Sequence, residues 1–201
     1  MMTNPMIHQP GDVAMPHPRV RRLAKLDDAH VAGLARLLLN VVDGDASVGF
    51  MHPLAIERAL AFWRGVAEGV ATRERALLMA EDAAGVIVGT VQVILAQPDN
   101  QPHRADIAKM LVHRRARRHG LGAALMQAAE QVAVAEGKTL LVLDTASADA
   151  ERLYEREGWQ RCGVIPGYAL LPRGGLCDTS YFFKSLPRLT IAAASSMETN
   201  P

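Results

Sequence analysis

The sequence predicts an α/β domain, with helices packed on a sheet, and two stretches carry that reading. Residues 105–112, the helical pattern that begins at Gly122 and the near-continuous apolar run 140–143 follow one another as strand, helix and strand, the order of a βαβ unit. Upstream, the short apolar run 76–80 and the β-branched stretch 86–95 flank the turn Ala83-Ala84-Gly85 and read as a hairpin. A chain of 201 residues, 49% hydrophobic and 21% charged, is long enough to bury one substantial core, so a single domain is expected.

The formal net charge of +1 provides no overall attraction to nucleic acid or to a membrane surface. The Arg and His cluster at 113–119 is therefore a local feature, suited to a compact anion. Two cysteines, Cys162 and Cys177, are too few for a disulfide scaffold and supply no zinc-site spacing, so both are expected reduced and no metal is expected. Residues 1–18 lack the apolar core of a signal peptide, and no uninterrupted apolar run approaches the roughly 18 residues of a membrane span. A cytoplasmic location is the expectation.

Taken in order, residues 1–18 contain Pro5, Pro10, Pro16 and Pro18 without periodicity and read as a disordered tail. The folded domain is expected over 19–186, with a loose tail at 187–201. In 19–26, Val20, Arg22, Ala24 and Leu26 alternate against mostly basic neighbours as a weak strand, and Asp27 or Asp28 offers a helix N-cap. The helix that follows presents Val31, Leu34, Ala35 and Leu38 on one face and ends before Asp43-Gly44-Asp45. Pro53 suits the first turn of a second helix with the face Ile56, Ala59, Leu60, Trp63 and Ala67. Between these helices, Phe50, Met51 and His52 either line an acceptor pocket or simply pack.

Beyond the hairpin, a loop with Pro98 and Pro102 leads into strand 105–112. Gly122, Leu125, Met126, Ala129, Val132 and Ala133 recur at helical spacing, the strongest helix pattern in the chain, closed by Gly137. Asp144-Thr145 ends the strand that starts at Leu140. A short helix over 148–157 stops at Gly158, and strands near 160–165 and 179–184 complete the pattern.

Strand 105–112 and the strongest helix are joined by Met110-Leu111-Val112-His113-Arg114-Arg115-Ala116-Arg117-Arg118-His119-Gly120-Leu121-Gly122, an apolar run that becomes a basic, glycine-closed loop. Gly120 and Gly122 lack a Cβ, so the backbone there can take unusual φ values and approach a pyrophosphate closely. The helix N-terminus adds unpaired N–H donors and a favourable dipole, and the arginines balance the charge. No Gly-Lys-Ser/Thr follows, which excludes a Walker loop, and the three-glycine dinucleotide fingerprint is missing. Taken alone, the spacing fits a solvated basic turn with a capping glycine equally well.

At this point the chain resembles the GNAT-type N-acetyltransferases, whose signature Arg/Gln-x-x-Gly-x-Gly/Ala lies between the fourth strand and the third helix. Arg117-x-x-Gly120-x-Gly122 matches it, with Met110-x-Val112 before it at the family's spacing, and Ala150-x-x-Leu153-Tyr154-x-x-x-Gly158-Trp159 matches a second family element. The resemblance covers roughly residues 19–186. It is closest to the tabtoxin-resistance-like acetyltransferases, through His103-Arg104-Ala105-Asp106, Leu143-Asp144-Thr145, Ile165-Pro166-Gly167-Tyr168 and Cys177-Asp178-Thr179.

The resemblance implies an acyl-CoA N-acyltransferase fold, a mixed and mostly antiparallel sheet flanked by helices with a splayed parallel strand pair at the cofactor cleft. It implies acetyl-CoA as co-substrate, with the pyrophosphate on amides of Arg117, Arg118, His119, Gly120, Leu121, Gly122 and Ala123. Pantetheine would run along Met110, Leu111 and Val112, whose amides can stabilise charge on the thioester oxygen. Where the family commonly has an Asn seven residues before the tyrosine, this chain has Ser147, a candidate pantetheine contact. Such enzymes often dimerise, which leaves a homodimer open.

Tyr154 matches the position where the family often places the acid that protonates the departing thiolate; otherwise it is a packed tyrosine whose hydroxyl caps a backbone group. Asp144 can hold an ammonium, remove its proton through water, or cap a helix. Asp106 is a lesser base candidate. Trp63 and Trp159 are expected to pack, His30 to be exposed, His113 and His119 to line the phosphate loop, and Cys162 to be a small buried residue. The function implied is acetyl transfer to a primary amine of a small amino-acid-like or dipeptide-like acceptor, in the manner of antibiotic or toxin detoxification. Alternatives are a protein or aminoacyl-tRNA acetyltransferase and a non-catalytic acyl-CoA sensing module.

Overall fold

The computed structural model describes residues 19–188. The expected N-terminal tail and the C-terminal tail beyond Arg188 lie outside the described residues. Seven strands, β1 (Arg19–Leu23), β2 (Arg75–Glu81), β3 (Ile87–Ile94), β4 (Arg104–Val112), β5 (Leu140–Thr145), β6 (Gln160–Leu170) and β7 (Leu176–Ser185), form one sheet in the order β1-β2-β3-β4-β5-β7-β6. Four α-helices join them: α1 (Asp28–Asp43), α2 (Ile56–Ala71), α3 (Leu121–Ala135) and α4 (Ala148–Arg156). Every strand pairing is antiparallel except β4 with β5, the two strands bridged by α3.

The two faces of the sheet bury separate cores. One is covered by α3 and α4, where Leu125, Met126, Ala129 and Ala133 of α3 meet Val91, Val93, Ala105, Ile107, Leu141 and Phe182 of the sheet. The other is covered by α1 and α2, where Leu34, Leu38, Ala59 and Trp63 meet Leu77, Met79 and Leu111. Small residues bring α3 close to the sheet. A Cβ on Gly89 of β3 would stand 3.0 Å from both Leu121 and Leu125, so the start of α3, and the loop that feeds it, is held against the sheet at that point.

Several boundaries differ from the sequence expectation, each for a local reason. β1 stops at Leu23, and Asp27 rather than Asp28 caps α1: it accepts from the His30 amide at 2.8 Å, while the Asp27 amide donates to His30 Nδ1 at 3.4 Å. His30 is thus a half-buried member of a capping box, not an exposed helix residue. α2 begins at Ile56 with Ala55 as its cap, so Pro53 precedes the helix instead of occupying its first turn. Its buried face is Ala59, Trp63, Val66 and Val70, leaving Ile56 exposed.

β6 and β7 are longer than expected. Pro166-Gly167 looks like a strand breaker, yet β6 is an edge strand and its pairing with β7 is irregular between Ile165 and Ala169, where a missing N–H costs nothing. The same edge position exposes Cys162, which the sequence suggests is buried; both cysteines are free.

Candidate active site

The site is built where β4 and β5 part. Their parallel pairing runs through Arg104–Leu140, Ala105–Leu141 and Asp106–Val142 and then ceases, so Met110, Leu111 and Val112 face β5 across a gap instead of a ladder. Leu111 pairs with Thr90 and Val112 with Gly89 on the opposite, β3 side. The Leu111 side chain is buried in the core beneath α1, so its backbone is what it offers to the gap.

A single turn of 3₁₀ helix at Arg114–Ala116 leads from β4 into the basic loop, capped by His113, whose Nδ1 accepts from the Arg115 amide at 3.2 Å. Arg118 and Gly120 both take left-handed backbone conformations, φ 68° and 78°. The first main-chain hydrogen bond of α3 runs from the Ala124 amide to the Gly120 carbonyl at 3.1 Å. The amides of Arg118, His119, Gly120, Leu121, Gly122 and Ala123 therefore have no main-chain acceptor among the described residues. Arg117, Arg118 and His119 are exposed around them, and Arg117 Nε donates to the Val112 carbonyl at 3.3 Å. A Cβ on Gly122 would lie 2.9 Å from Leu153 of α4 and 3.9 Å from Met110, so this glycine lets three elements converge at the mouth of the gap. His113 is held below its ordinary pKa by burial first and then by Arg115, Arg114 and Arg117.

Asp144 and Tyr154 lie on opposite faces of the sheet. Leu141 and Leu143 of β5 point into the α3 core, so Asp144 points to the α1–α2 face, directly across from Tyr181 of β7. Burial raises the Asp144 pKa, with Lys109 lowering and Asp106 raising it further. The helix-cap alternative for Asp144 falls away, because Ser147 takes that role, accepting from the Ala150 amide at 3.4 Å. Tyr154 lies on α4 with its ring packed against Trp159 and Phe182, centroids 6.0 and 5.8 Å away. Its hydroxyl caps no backbone group and has no hydrogen-bond partner among the described residues. Burial, and then the charge of Asp144, push its pKa upward. Asp106 is engaged elsewhere: Arg104 pairs with it and Gln97 Nε2 donates to it at 3.1 Å.

Two residues on the Asp144 side, Lys109 and Tyr181, were not singled out by the sequence. Lys109 stands in a bulge of β4, opposite Val91, where the register with β3 slips between Thr90 and Gln92. Its φ is 47°. Tyr181 Oη donates to Tyr168 Oη at 3.0 Å, a bond that first of all pushes the Tyr181 pKa up to about 12. The α1–α2 connection crosses above. Phe50 packs edge-on against Phe62 at 5.2 Å, Met51 is exposed, and the His52 amide donates to the Pro172 carbonyl at 2.8 Å, tying this connection to the β6–β7 turn. Trp63 and Trp159 are packed as expected, and Trp159 Nε1 donates to Glu130 at 2.9 Å.

Residues 51–159 match the model of the Acetyltransferase (GNAT) family. The chain belongs to that family. Similar solved structures include the ribosomal-protein-alanine N-acetyltransferase from Brucella melitensis, 19% identical over 84% of this chain and 99% of that one, with a TM-score of 0.71. A GNAT superfamily phosphinothricin acetyltransferase from Sinorhizobium meliloti in complex with AcCoA is 18% identical over 85% and 89%, TM-score 0.67. A Salmonella typhimurium protein described as an acetyltransferase, with its cofactor acetyl-CoA, is 19% identical over 88% and 98%, TM-score 0.70. GNAT enzymes use acetyl-CoA as co-substrate. The loop of this acetyltransferase has the chemistry that an anionic group of such a molecule requires: six amides without main-chain acceptors among the described residues, a left-handed glycine at their centre and exposed arginines beside them. Among the described residues no helix is long and apolar enough to cross a membrane.

Proposed function

We propose that the protein transfers the acetyl group of acetyl-CoA to the primary amine of a small amino-acid-like or dipeptide-like acceptor, by direct attack within a ternary complex. The reading is supported above all by the gap where β4 and β5 cease to pair, with the unpartnered loop amides after β4 and with Asp144 and Tyr154 on opposite faces of the sheet. Acetyl-CoA supplies the thioester. The amides of Arg118 to Ala123 hold its pyrophosphate, the Arg117 amide being already bonded to the Arg114 carbonyl, and the strand edge at Met110, Leu111 and Val112 lines its pantetheine arm, with an amide there facing the thioester oxygen. Ser147, the pantetheine contact that the resemblance implies, accepts from the Ala150 amide as the α4 cap.

The amine nitrogen attacks the acetyl carbon, a C–N bond forms and the C–S bond breaks. Asp144, through water, accepts the proton that the amine must lose, and Tyr154 gives one to the departing sulfur. Holding both substrates together supplies much of the remaining acceleration. The resemblance to tabtoxin-resistance-like enzymes supports an amino-acid-like acceptor. The test is thiol release from acetyl-CoA across a panel of amines, amino acids and dipeptides. Turnover on at least one amine, with the N-acetylated product confirmed by mass, is expected. Tight CoA binding with no turnover on any amine would leave a sensing module instead.

Asp144 also fixes a pH dependence. It accepts a proton when ionised, and burial raises its pKa, so kcat/KM is expected to climb with pH through a value above the ordinary carboxylate range. Lys109, Tyr154 and Tyr181 feel its charge, and Asp106 and Lys109 act on it in turn. Asp144→Asn is expected to lower kcat/KM about 100-fold and to abolish that limb. The same substitution is expected to raise Tm at neutral pH. Because the folded pKa exceeds the unfolded one, the folded state holds the proton more tightly, and stability declines as pH rises between those two values. Asparagine escapes that loss. A Tm unchanged or lowered at neutral pH would contradict the upward shift assigned to this carboxyl, which belongs to an exposed residue and so feels the shift weakly.

A further inference from the structure

On the reading just proposed, we infer that Lys109 is the receptor for the acceptor's carboxylate, so that the substrate is an amine carrying an anionic carboxyl group close to its nitrogen, an α-amino acid or the like. Strand alternation would send Lys109 the same way as Ala105 and Ile107, into the α3 core. The bulge prevents this. Two residues of β4 oppose one of β3, Met110 and Val112 resume the α3 side, and Lys109 turns to the α1–α2 face shared with Asp144. A lysine at φ 47° is an uncommon backbone state, held here by the pairing on either side.

The ammonium so placed is largely withdrawn from water yet has no partner. Among the described residues it makes no hydrogen bond and no ion pair, and its neighbours are the face of the Phe62 ring, 5.7 Å from centroid to Nζ, and Gly49, where a Cβ would stand 3.8 Å from Nζ. Asp144 is close enough for each charge to move the other's pKa, but the two do not close into a salt bridge. Burial accordingly holds the Lys109 pKa below its ordinary value. A buried cation left unpaired costs free energy unless something negative arrives. The α1–α2 connection lies against it at Gly49, and Lys109 and Asp144 both stand past the last paired residues of β4 and β5. An α-amino acid answers both charges at once, its carboxylate on Lys109 and its nitrogen toward Asp144. A cation–carboxylate hydrogen bond in such a setting is among the stronger polar contacts available.

The experiment compares L-amino acids and dipeptides with their carboxamides and decarboxylated amines, for the native chain and for Lys109→Met and Lys109→Arg. Two readouts are taken: kcat/KM with acetyl-CoA, and calorimetric binding of the same compounds to the CoA-loaded protein, which needs no turnover. The native chain is expected to prefer the acid over its decarboxylated amine by about 30-fold or more, chiefly through KM. Lys109→Met is expected to collapse that ratio to near one, and Lys109→Arg to restore part of it. If Lys109→Met lowers acid and amine alike, or the native chain shows no carboxylate preference in either readout, the inference is overturned and Lys109 is a counter-charge for Asp144. Carboxylate binding that depends on Lys109, with no turnover on any compound, would keep the inference and overturn acetyl transfer. Turnover without carboxylate preference would do the reverse.

Discussion

Gly120→Val is expected to weaken acetyl-CoA binding at least 100-fold while the domain still folds. Space is not the obstacle, because a Cβ at Gly120 would meet nothing within 4 Å. The obstacle is conformation. At φ 78° a β-branched residue is strained, a penalty of about 1–2 kcal/mol or more that the chain relieves by turning the flanking peptides. Those peptides carry the amides of Gly120 and Leu121, two of the six donors that the proposed pyrophosphate site uses. The strain is small against the stability of a domain with two cores, so thermal unfolding should stay cooperative. Gly120→Asn, a residue that tolerates the left-handed region, should retain most of the affinity. The decisive comparison is acetyl-CoA against acetylpantetheine, which lacks the pyrophosphate. The loss should fall on the first and spare the second. Native-like acetyl-CoA affinity in Gly120→Val would remove the loop amides from the cofactor site.

What the sequence made legible follows from where local chemistry dominates. The strand before the loop, the glycine-closed turn and the apolar stripe of α3 are encoded in adjacent residues, and they stand as expected. The hairpin β2–β3 is legible for the same reason. The corrections concern residues whose environment is set by distant partners. Sequence alone leaves His30 exposed, whereas Asp27 draws it into a capping box, and it suggests a buried Cys162, whereas β6 is the sheet's edge strand. Pro166-Gly167 signals a break in a central strand but not in an edge strand with an irregular ladder. Lys109 was hidden by strand periodicity itself. A lysine in phase with Ala105 and Ile107 is the visible irregularity, and it marks the bulge, but where the ammonium then points depends on β3, on α2 and on Gly49. Tyr181 and Arg173, and the bond that Tyr181 makes to Tyr168, depend on distant partners for a similar reason. They arrive on the β6–β7 arm, which folds back so that Arg173 touches His52 at 3.2 Å and the carbonyl of Asp43 at 3.3 Å, 121 and 130 residues away in the chain.

Tyr154→Phe is expected to lower kcat about 100-fold and to leave acetyl-CoA affinity and Tm nearly unchanged. The stability half of this expectation follows from packing. Phenylalanine keeps the ring contacts with Trp159 and Phe182, and because the tyrosine hydroxyl bonds to no protein group among the described residues, its removal orphans no partner. A tyrosine kept for structure alone would show the opposite pattern, a lower Tm with kcat intact. The catalytic half follows from protonation. Burial and the nearby Asp144 charge both disfavour the phenolate, so the phenol stays protonated through the neutral range and is available to donate. A thiolate with an ordinary alkyl-thiol pKa leaves as a strong base, and a positioned proton relieves that cost. A thiolate that is already a weak base gains little from it. The penalty of Tyr154→Phe on kcat/KM should therefore shrink when acetyl-CoA is replaced by the acetyl thioester of an acidic aromatic thiol such as 4-nitrothiophenol. An equal penalty with both donors would place the hydroxyl in substrate positioning and remove it as the acid, while native rates with both would remove it from the reaction altogether.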